Sequence, residues 1–356
     1  MAQSVDQLGE TLTPTAMLHV SQTTDERTWN EYLARRGPGH LFHRAEWERV
    51  FGFYRLPSKR LAAMRGGEVV GVLPLVWQKS LLFGNQLVSM PCFDAAGVVA
   101  DDVEARDALI DEARQVAKRL GAKSVMLKHA EPLDLSPSVR TDKVLMRMTL
   151  QPDSEALWKS FSPKVRNQVR KGEKSGLSVE RGGRELLADF FEVYSINMRD
   201  LGSPSHHPRF FEVVFDAFPE ESRLYVVRLD GKAIGAGFTM TNGDRLEIPW
   251  ASSLREYNHY CVNHLMYKQV LEDACREGFR WFHFGRSTRN SGPYRFKKQW
   301  DSEVVQLYWY YLTPDADAPA KVTSPQESYG WGTRIWRRLP LWLARSLGPR
   351  IVAKVP

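Results

Sequence analysis

Apolar positions along this chain switch between a period of two and a period of three to four, and the switches divide it into strands and helices. Residues 18–20 open as a strand, and 25–35 carry helical spacing behind a capping Asp25 or Thr24. Trp47, Val50 and Phe51 place a second amphipathic helix over 43–53. Two apolar runs, 61–65 and 69–77, flank Gly66-Gly67 and form a hairpin pattern. A strand over 87–91, a loop over 92–97, a helix over 105–120 stopped by Gly121 and a buried strand over 124–128 complete the first series.

The series then repeats. Ser154 caps a helix containing Leu157, Trp158 and Phe161, and Ser162-Pro163 starts another that runs over 164–175 and stops at Gly176. Helices over 186–201 and 209–218 precede a hairpin of 224–229 and 233–240, turned by Asp230-Gly231. A strand over 245–251, a helix over 263–277 ended by Gly278 and a strand over 279–284 follow. The hairpin, the strand with its proline (88–91 against 246–249), the glycine-stopped helix and the closing strand (125–128 against 281–284) recur in one order in both halves. This repetition predicts a duplicated α+β domain, each copy a mixed sheet with helices on its faces, and a ligand between the copies. The first copy is expected over 17–150 and the second over 151–313, with a disordered start (1–16), a linker (314–327) and a basic tail (328–356).

The closing strand of the second copy leads into a stretch that its counterpart at 125–131 lacks. After Phe282 and Phe284 come Gly285, Ser291, Gly292 and Pro293, residues that turn the backbone and leave amides free. Arg286, Arg289, Arg295, Lys297 and Lys298 supply five cations within 13 residues, no acid interrupts them, and Tyr294, Phe296 and Trp300 alternate with them. A core strand ending this way suits an anionic, ring-bearing ligand, and acyl transfer to an amine needs a positive group where the oxyanion develops. Arg286, Lys297 and Lys298 can supply that charge, Lys297 foremost; a basic surface hairpin is the alternative. A general base is harder to place. Glu247 and, in the matching loop of the first copy, Asp94 are the carboxylates at hand, yet alternation sets Glu247 opposite Leu246, Ile248 and Trp250 and predicts solvent exposure. Proton transfer assisted by the substrate would need no base.

Lys164, Arg166, Arg170, Lys171 and Lys174 lie on one helix, a basic face that is either solvated or in contact with phosphate. His206-His207 has no third ligand at a suitable spacing, so no metal is expected. Nucleophile-elbow, Walker and dinucleotide patterns are absent. Cys92, Cys261 and Cys275 stand far apart, as in a reducing compartment, and no apolar run reaches the length of a membrane span, so a cytoplasmic protein is expected. Of the net charge of +7, +6 belongs to 328–356, where Arg334, Arg337, Arg338, Arg345, Arg350 and Lys354 meet no acid. The nearly neutral body argues against wholesale coating of nucleic acid. On a helical wheel the tail sets Trp331, Ile335, Leu339, Trp342, Leu343 and Leu347 against its arginines, with a kink at Pro340. That pattern suits either peripheral attachment at an anionic inner membrane or docking on the body.

The strand, turn, strand, strand, helix, strand order resembles the acyltransferase fold of the GNAT superfamily. Its duplication is similar to the FemAB family of aminoacyl transferases, in particular the FemAB-related proteins of exosortase and PEP-CTERM systems in exopolysaccharide loci. Trp158-Lys-Ser-Phe-Ser-Pro-Lys-Val-Arg-Asn-Gln-Val-Arg-Lys171 with Gly176, the stretch FEVYSINMRDLG at 191–202, Trp250-Ala-Ser-Ser253 with Tyr257 and Asn263, and Phe284-Gly-Arg-Ser287 with Phe296-Lys-Lys298 carry the likeness. It spans about residues 18–313 and implies two tandem GNAT-like domains. It also implies transfer of an aminoacyl or acyl group to an amine or hydroxyl of a sugar- or lipid-linked envelope precursor. The implied donor is aminoacyl-tRNA or acyl-CoA, with no tightly bound cofactor. Lys164, Arg166 and Arg170 would touch phosphate, and Trp250, Asn263, Tyr294, Phe296 and Lys298 would line the cleft. Acetyl-CoA-using members carry a glycine-rich loop where this chain has LREYNHYCV at 254–262, without glycine, which speaks against coenzyme A by that route. The family's closing motif also continues with an aromatic and a glycine, whereas Trp300 here precedes Asp301. An acyl-CoA-dependent N-acyltransferase and a non-catalytic holder of a polysaccharide precursor stand as the other readings.

Overall fold

Strand β1 (Leu18–Ser21) is followed by helix α1 (Glu26–Arg35), whose start is fixed by the Asp25 carboxylate accepting from the Thr28 amide at 2.9 Å. The computed structural model describes residues 17–22, 25–80, 84–135, 138–315 and 330–355; the segment 1–16 and most of the expected linker lie outside them. The helix expected over 43–53 begins later, as α2 (Trp47–Phe53), because a short 3-10 turn at Leu41–His43 precedes it. Then come β2 (Ser58–Arg65), β3 (Glu68–Ser80), β4 (Gly84–Val88), β5 (Val99–Ala100), α3 (Val103–Arg119) and β6 (Ser124–His129). Two further strands, β7 (Ser138–Arg140) and β8 (Lys143–Thr149), lie where the sequence pattern marked no element. The second series is α4 (Ser154–Ser160), α5 (Pro163–Lys174), β9 (Ser178–Gly182), α6 (Leu187–Leu201), α7 (Pro208–Ala217), β10 (Ser222–Leu229), β11 (Lys232–Asn242), β12 (Arg245–Ser253), α8 (Val262–Arg276), β13 (Trp281–Thr288) and α9 (Gly292–Lys298). The chain then runs through β14 (Glu303–Gln306) and β15 (Tyr308–Leu312), and the tail forms α10 (Gly330–Trp336) and α11 (Leu341–Val352), broken at Pro340 as its sequence predicts.

The strands form two mixed sheets, ordered β1-β2-β3-β4-β6-β15-β7 with β5 on β3, and β14-β8-β13-β12-β11-β10-β9. Each contains an antiparallel run that ends in one parallel pair, β4 with β6 and β12 with β13. The duplication inferred from element order is thus present in the topology. The sheets do not divide at residue 150, however. β8, N-terminal to that point, pairs with β13 in the second sheet, and β15, from the end of the second series, pairs with β6 in the first. Each copy completes its sheet with a strand that the linear pattern assigns to the other.

The halves also share a core. One continuous buried cluster contains Phe42, Trp47, Phe51 and Phe93 from the first half and Phe211, Phe218 and Phe238 from the second, with the partly buried Trp250 packed against it. Trp47 is 1% exposed and donates from its indole nitrogen to Leu41 O at 2.9 Å. Its ring lies 4.4 Å from Phe93 and 4.6 Å from Phe218, so it fastens α2 to the region around α7. Replacing such a side chain leaves a cavity that the packed neighbours cannot refill. Trp47→Ala is expected to lower unfolding stability by about 3–5 kcal/mol and to shift a single cooperative urea transition; two separated transitions would contradict a shared core.

Candidate active site

Two β-bulges facing one another build the site. β12 and β13 pair only at residues 245–247 with 281–283 and then separate. Along β12 the register on β11 slips between Phe238 and Met240, so that three steps on β12 (Glu247 to Trp250) answer two on β11. Pro249 lies in that interval and has no amide hydrogen to offer the ladder. Along β13 the register on β8 slips between His283 and Arg286, across Gly285 with φ +72°. An extra residue on each strand re-aims the side chains that follow. The expectation that Glu247 and Trp250 face opposite ways therefore fails, and both line a cavity of about 280 Å³ at the separation. Glu247 is not the solvent-exposed carboxylate that simple alternation predicts; its side chain is 13% exposed.

Lys297, from α9, completes that cavity. Ser291 caps this helix by accepting from the Tyr294 amide at 3.3 Å, and Pro293 fits its first turn. An ammonium has three hydrogens to donate. Lys297 Nζ gives two, to Gly285 O at 3.0 Å and Arg286 O at 2.9 Å. Burial pushes its pKa down to about 8. Glu247 is pushed up to about 7, chiefly by burial, against a 2.6 Å hydrogen bond from Asn242 Nδ2. His283 stands 3.7 Å from it, but burial holds that imidazole down at about 3, so it is a neutral neighbour. Arg286 pairs with Asp94 at 3.2 Å across the two halves. A carboxyl poised near neutrality and a partly committed ammonium that line one cavity can, respectively, take up a proton and hold a developing negative charge.

Beneath Asp94 lies a residue that the sequence reading passed over. Lys128 is 0% exposed, and its Nζ sits 3.5 Å from Met90 O and 3.4 Å from Phe93 O. It stands 4.9 Å from the centre of the Trp309 ring, and Arg286 stands 5.4 Å from the same ring. The Trp309 indole nitrogen donates to Asp94 O at 3.2 Å. β15 thus returns to the first sheet bearing the side chain that fixes the loop carrying Asp94. In sequence, the one available signal was a lysine inside the apolar run Val125-Met-Leu-Lys128.

A second cavity, of about 430 Å³, opens on the other side of the separated strands. It shares Ile248, Pro249, Phe284 and Lys297 with the first. Asn263 and Phe296 line it, as expected. Asn263 donates to Ser253 Oγ at 3.0 Å, while its buried Oδ1 has no partner among the described residues. Two expected contacts fail. Tyr294 packs against the core instead of lining either cavity, and Lys298 turns outward, its Nζ donating to Ser302 O at 2.9 Å. One helical turn separates Tyr294 from Lys298, and the seven-residue helix presents only one face to the separated strands. Lys164 and Arg170 are exposed on α5, and Arg166 donates to Lys159 O at 2.9 Å; none lines either of these two cavities. That helix nevertheless abuts the second cavity's border, where Gly172 lies against Tyr260 O and Gln168 Oε1 accepts from Cys261 Sγ. His206, in the rejected metal pair, stacks on Phe210 and meets the Tyr54 hydroxyl at 3.0 Å.

Residues 159–298 match a family described as acetyltransferase (GNAT) domain. Over 214 residues the chain is 28% identical to the lipid II:glycine glycyltransferase of Staphylococcus aureus, covering 53% of this chain and 49% of that one. It therefore spans about half the length of the curated relatives it matches. Its backbone resembles that of FemX, with a TM-score of 0.65 at 18% identity over 88% of this chain and 99% of that one. A tandem GNAT protein from the clavulanic acid biosynthesis pathway gives a TM-score of 0.55 at 12% identity over 86% and 99%. The likenesses agree with the tandem fold that the repeated element order predicts, whereas the exosortase and PEP-CTERM association has no counterpart in them.

Lys128 gives the cleft a measurable signature. Its pKa falls from 10.5 to about 7 through burial, so between those values the unfolded chain binds more protons and stability rises with pH. Lys297 adds the same sign above about 8. Lys128→Met is expected to remove about half of the rise in the urea midpoint between pH 7 and 10; an unchanged slope would contradict the burial of this ammonium.

Proposed function

We propose that this chain, a FemAB-like protein of the GNAT acyltransferase fold, transfers an aminoacyl group from a charged tRNA to an amine or hydroxyl of a sugar- or lipid-linked cell-envelope precursor. The observation that carries this reading is the meeting of two cavities at one buried ammonium, Lys297, with the near-neutral carboxyl of Glu247 in the wall of the first. In this scheme the acceptor occupies the first cavity, between the halves, and the aminoacyl end of the donor occupies the second. The acceptor nitrogen attacks the ester carbonyl, and the new C–N bond forms while charge gathers on the acyl oxygen. Lys297 holds that oxygen with its uncommitted hydrogen, and Glu247 takes the proton from the amine. Collapse of the tetrahedral species breaks the C–O bond and frees the tRNA hydroxyl, which picks up a proton.

The choice of tRNA over coenzyme A rests on two features. The segment before α8 is a 3-10 turn, Arg255–Tyr260, with no glycine to bring backbone amides against a pyrophosphate. The exposed cations of α5 belong to a helix packed against α8, whose Asn263 lines that cavity, and suit an extended polyphosphate backbone. The assignment to exopolysaccharide chemistry at the inner membrane rests on motif resemblance. An acyl-CoA donor remains the second reading, and turnover with acyl-CoA but not charged tRNA would replace the first.

Lys297→Ala is expected to lower kcat on the order of 100-fold or more, the scale for losing one oxyanion donor. Wild-type turnover by that variant would exclude the role. The rate should climb through about pH 7 as Glu247 ionises and decline through about pH 8 as Lys297 loses its proton, and Glu247→Gln should abolish the rising limb. For the donor, Arg166→Glu with Arg170→Glu is expected to weaken tRNA binding at least ~10-fold and to make its dependence on log salt shallower by roughly 1.5. Unaltered binding would remove α5 from the donor site.

A further inference from the structure

We propose that α10 and α11 form a docking face for an anionic phospholipid surface, and that docking there sets the first cavity beside the lipid. The tail is seated on the body, as one of the two sequence readings expects. Ala344 and Gly348 are buried, and a Cβ on Gly348 would lie 2.8 Å from Ser205 O. Arg345 pairs with Glu192 and donates to Ser195 Oγ at 3.0 Å. Gln78 Nε2 donates to Ala353 O at 3.0 Å and to Val355 O at 3.2 Å.

Seating leaves the outer face uncovered. Trp342 is 70% exposed and Ile335 54%, and Leu201, tied to α10 by Arg337 Nη2 at 3.3 Å from its carbonyl, is 54% exposed. These are half of the large exposed hydrophobics among the described residues, and all three lie on the tail helices or are tied to them. Around them Arg334, Arg338, Arg350 and Lys354 are exposed and form no ion pair among the described residues. Residues 328–356 contain no acid, so a second copy placed on this face would set cation against cation. An anionic lipid surface supplies both the negative charge and the apolar depth that the face lacks. Val352 and Val355, within a turn or so of Arg350, wall the first cavity, which links the face to the site.

This inference is independent of turnover, and a binding measurement tests it. The full chain is floated with phosphatidylcholine vesicles with and without phosphatidylglycerol, alongside Trp342→Ala/Ile335→Ala and Arg334→Glu/Arg338→Glu, each checked for an unchanged melting temperature. The full chain should float with the anionic vesicles alone, and the double charge reversal should cut partitioning at least ~25-fold, about a factor of five for each cation lost. The apolar double variant should fall by a comparable amount. Absence of flotation, equal flotation on neutral vesicles, or full flotation by either variant would overturn the proposal. So would a dimer, detected by light scattering, that depends on Trp342 and forms without vesicle binding.

Discussion

The ammonium of Lys297 held by two consecutive carbonyls, Gly285 O and Arg286 O, is the contact around which the second sheet is shaped. Two neighbouring carbonyls of a regular strand point to opposite sides and cannot serve one cation. The bulge on β13 removes that obstacle, and it needs the positive φ that Gly285 supplies without a steric penalty. Together with the bulge on β12, the same irregularity accompanies the separation of β13 from β12, so the distortion that orients the charge also borders the cavities. A Cβ at residue 285 would sit 3.8 Å from Asp94 Oδ2 and 3.9 Å from Lys297 Nζ, in the middle of the site.

The two copies differ at this position. The first sheet has the matching parallel pair, β4 and β6, but its separation is filled by protein. Ser89 donates from its amide to Met126 O at 2.8 Å and accepts from the Lys128 amide at 2.9 Å. Lys128 and Trp309 occupy the space below. A buried lysine with no ion pair among the described residues is costly, and here its contacts go to the loop that presents Asp94 to Arg286. The first copy thus has protein where the second has a cavity, and that protein supports the loop carrying Asp94. The seated tail adds a wall on the remaining side through Val352 and Val355.

Much of this was legible in the chain. Asp25 and Ser162 cap helices where the sequence places them, Asp153 takes the capping place expected of Ser154, Ser291 caps a helix that the pattern does not mark, and the hairpins turn at the glycines that mark them. The cation cluster after Gly285 does lead to the site through Arg286 and Lys297. Lys298, the next residue, does not, because consecutive helical positions point about 100° apart and the helix decides which of the two faces inward. Glu247 was misplaced for a related reason: period two predicts a face only while the register holds, and Pro249 was the visible warning that it does not.

Sequence by itself determined the elements, their repetition and the types of side chain at the cleft, since periodicity, caps and turn residues act over a few neighbouring positions. Tertiary structure alone decided the partners. That β8 and β15 complete each other's sheets, that Asp94 meets Arg286 across 192 residues, and that Lys128 lies buried beneath them depend on pairings between distant segments. Such pairings are set by which surfaces bury the most apolar area together, a property of the whole packed chain that no local window contains.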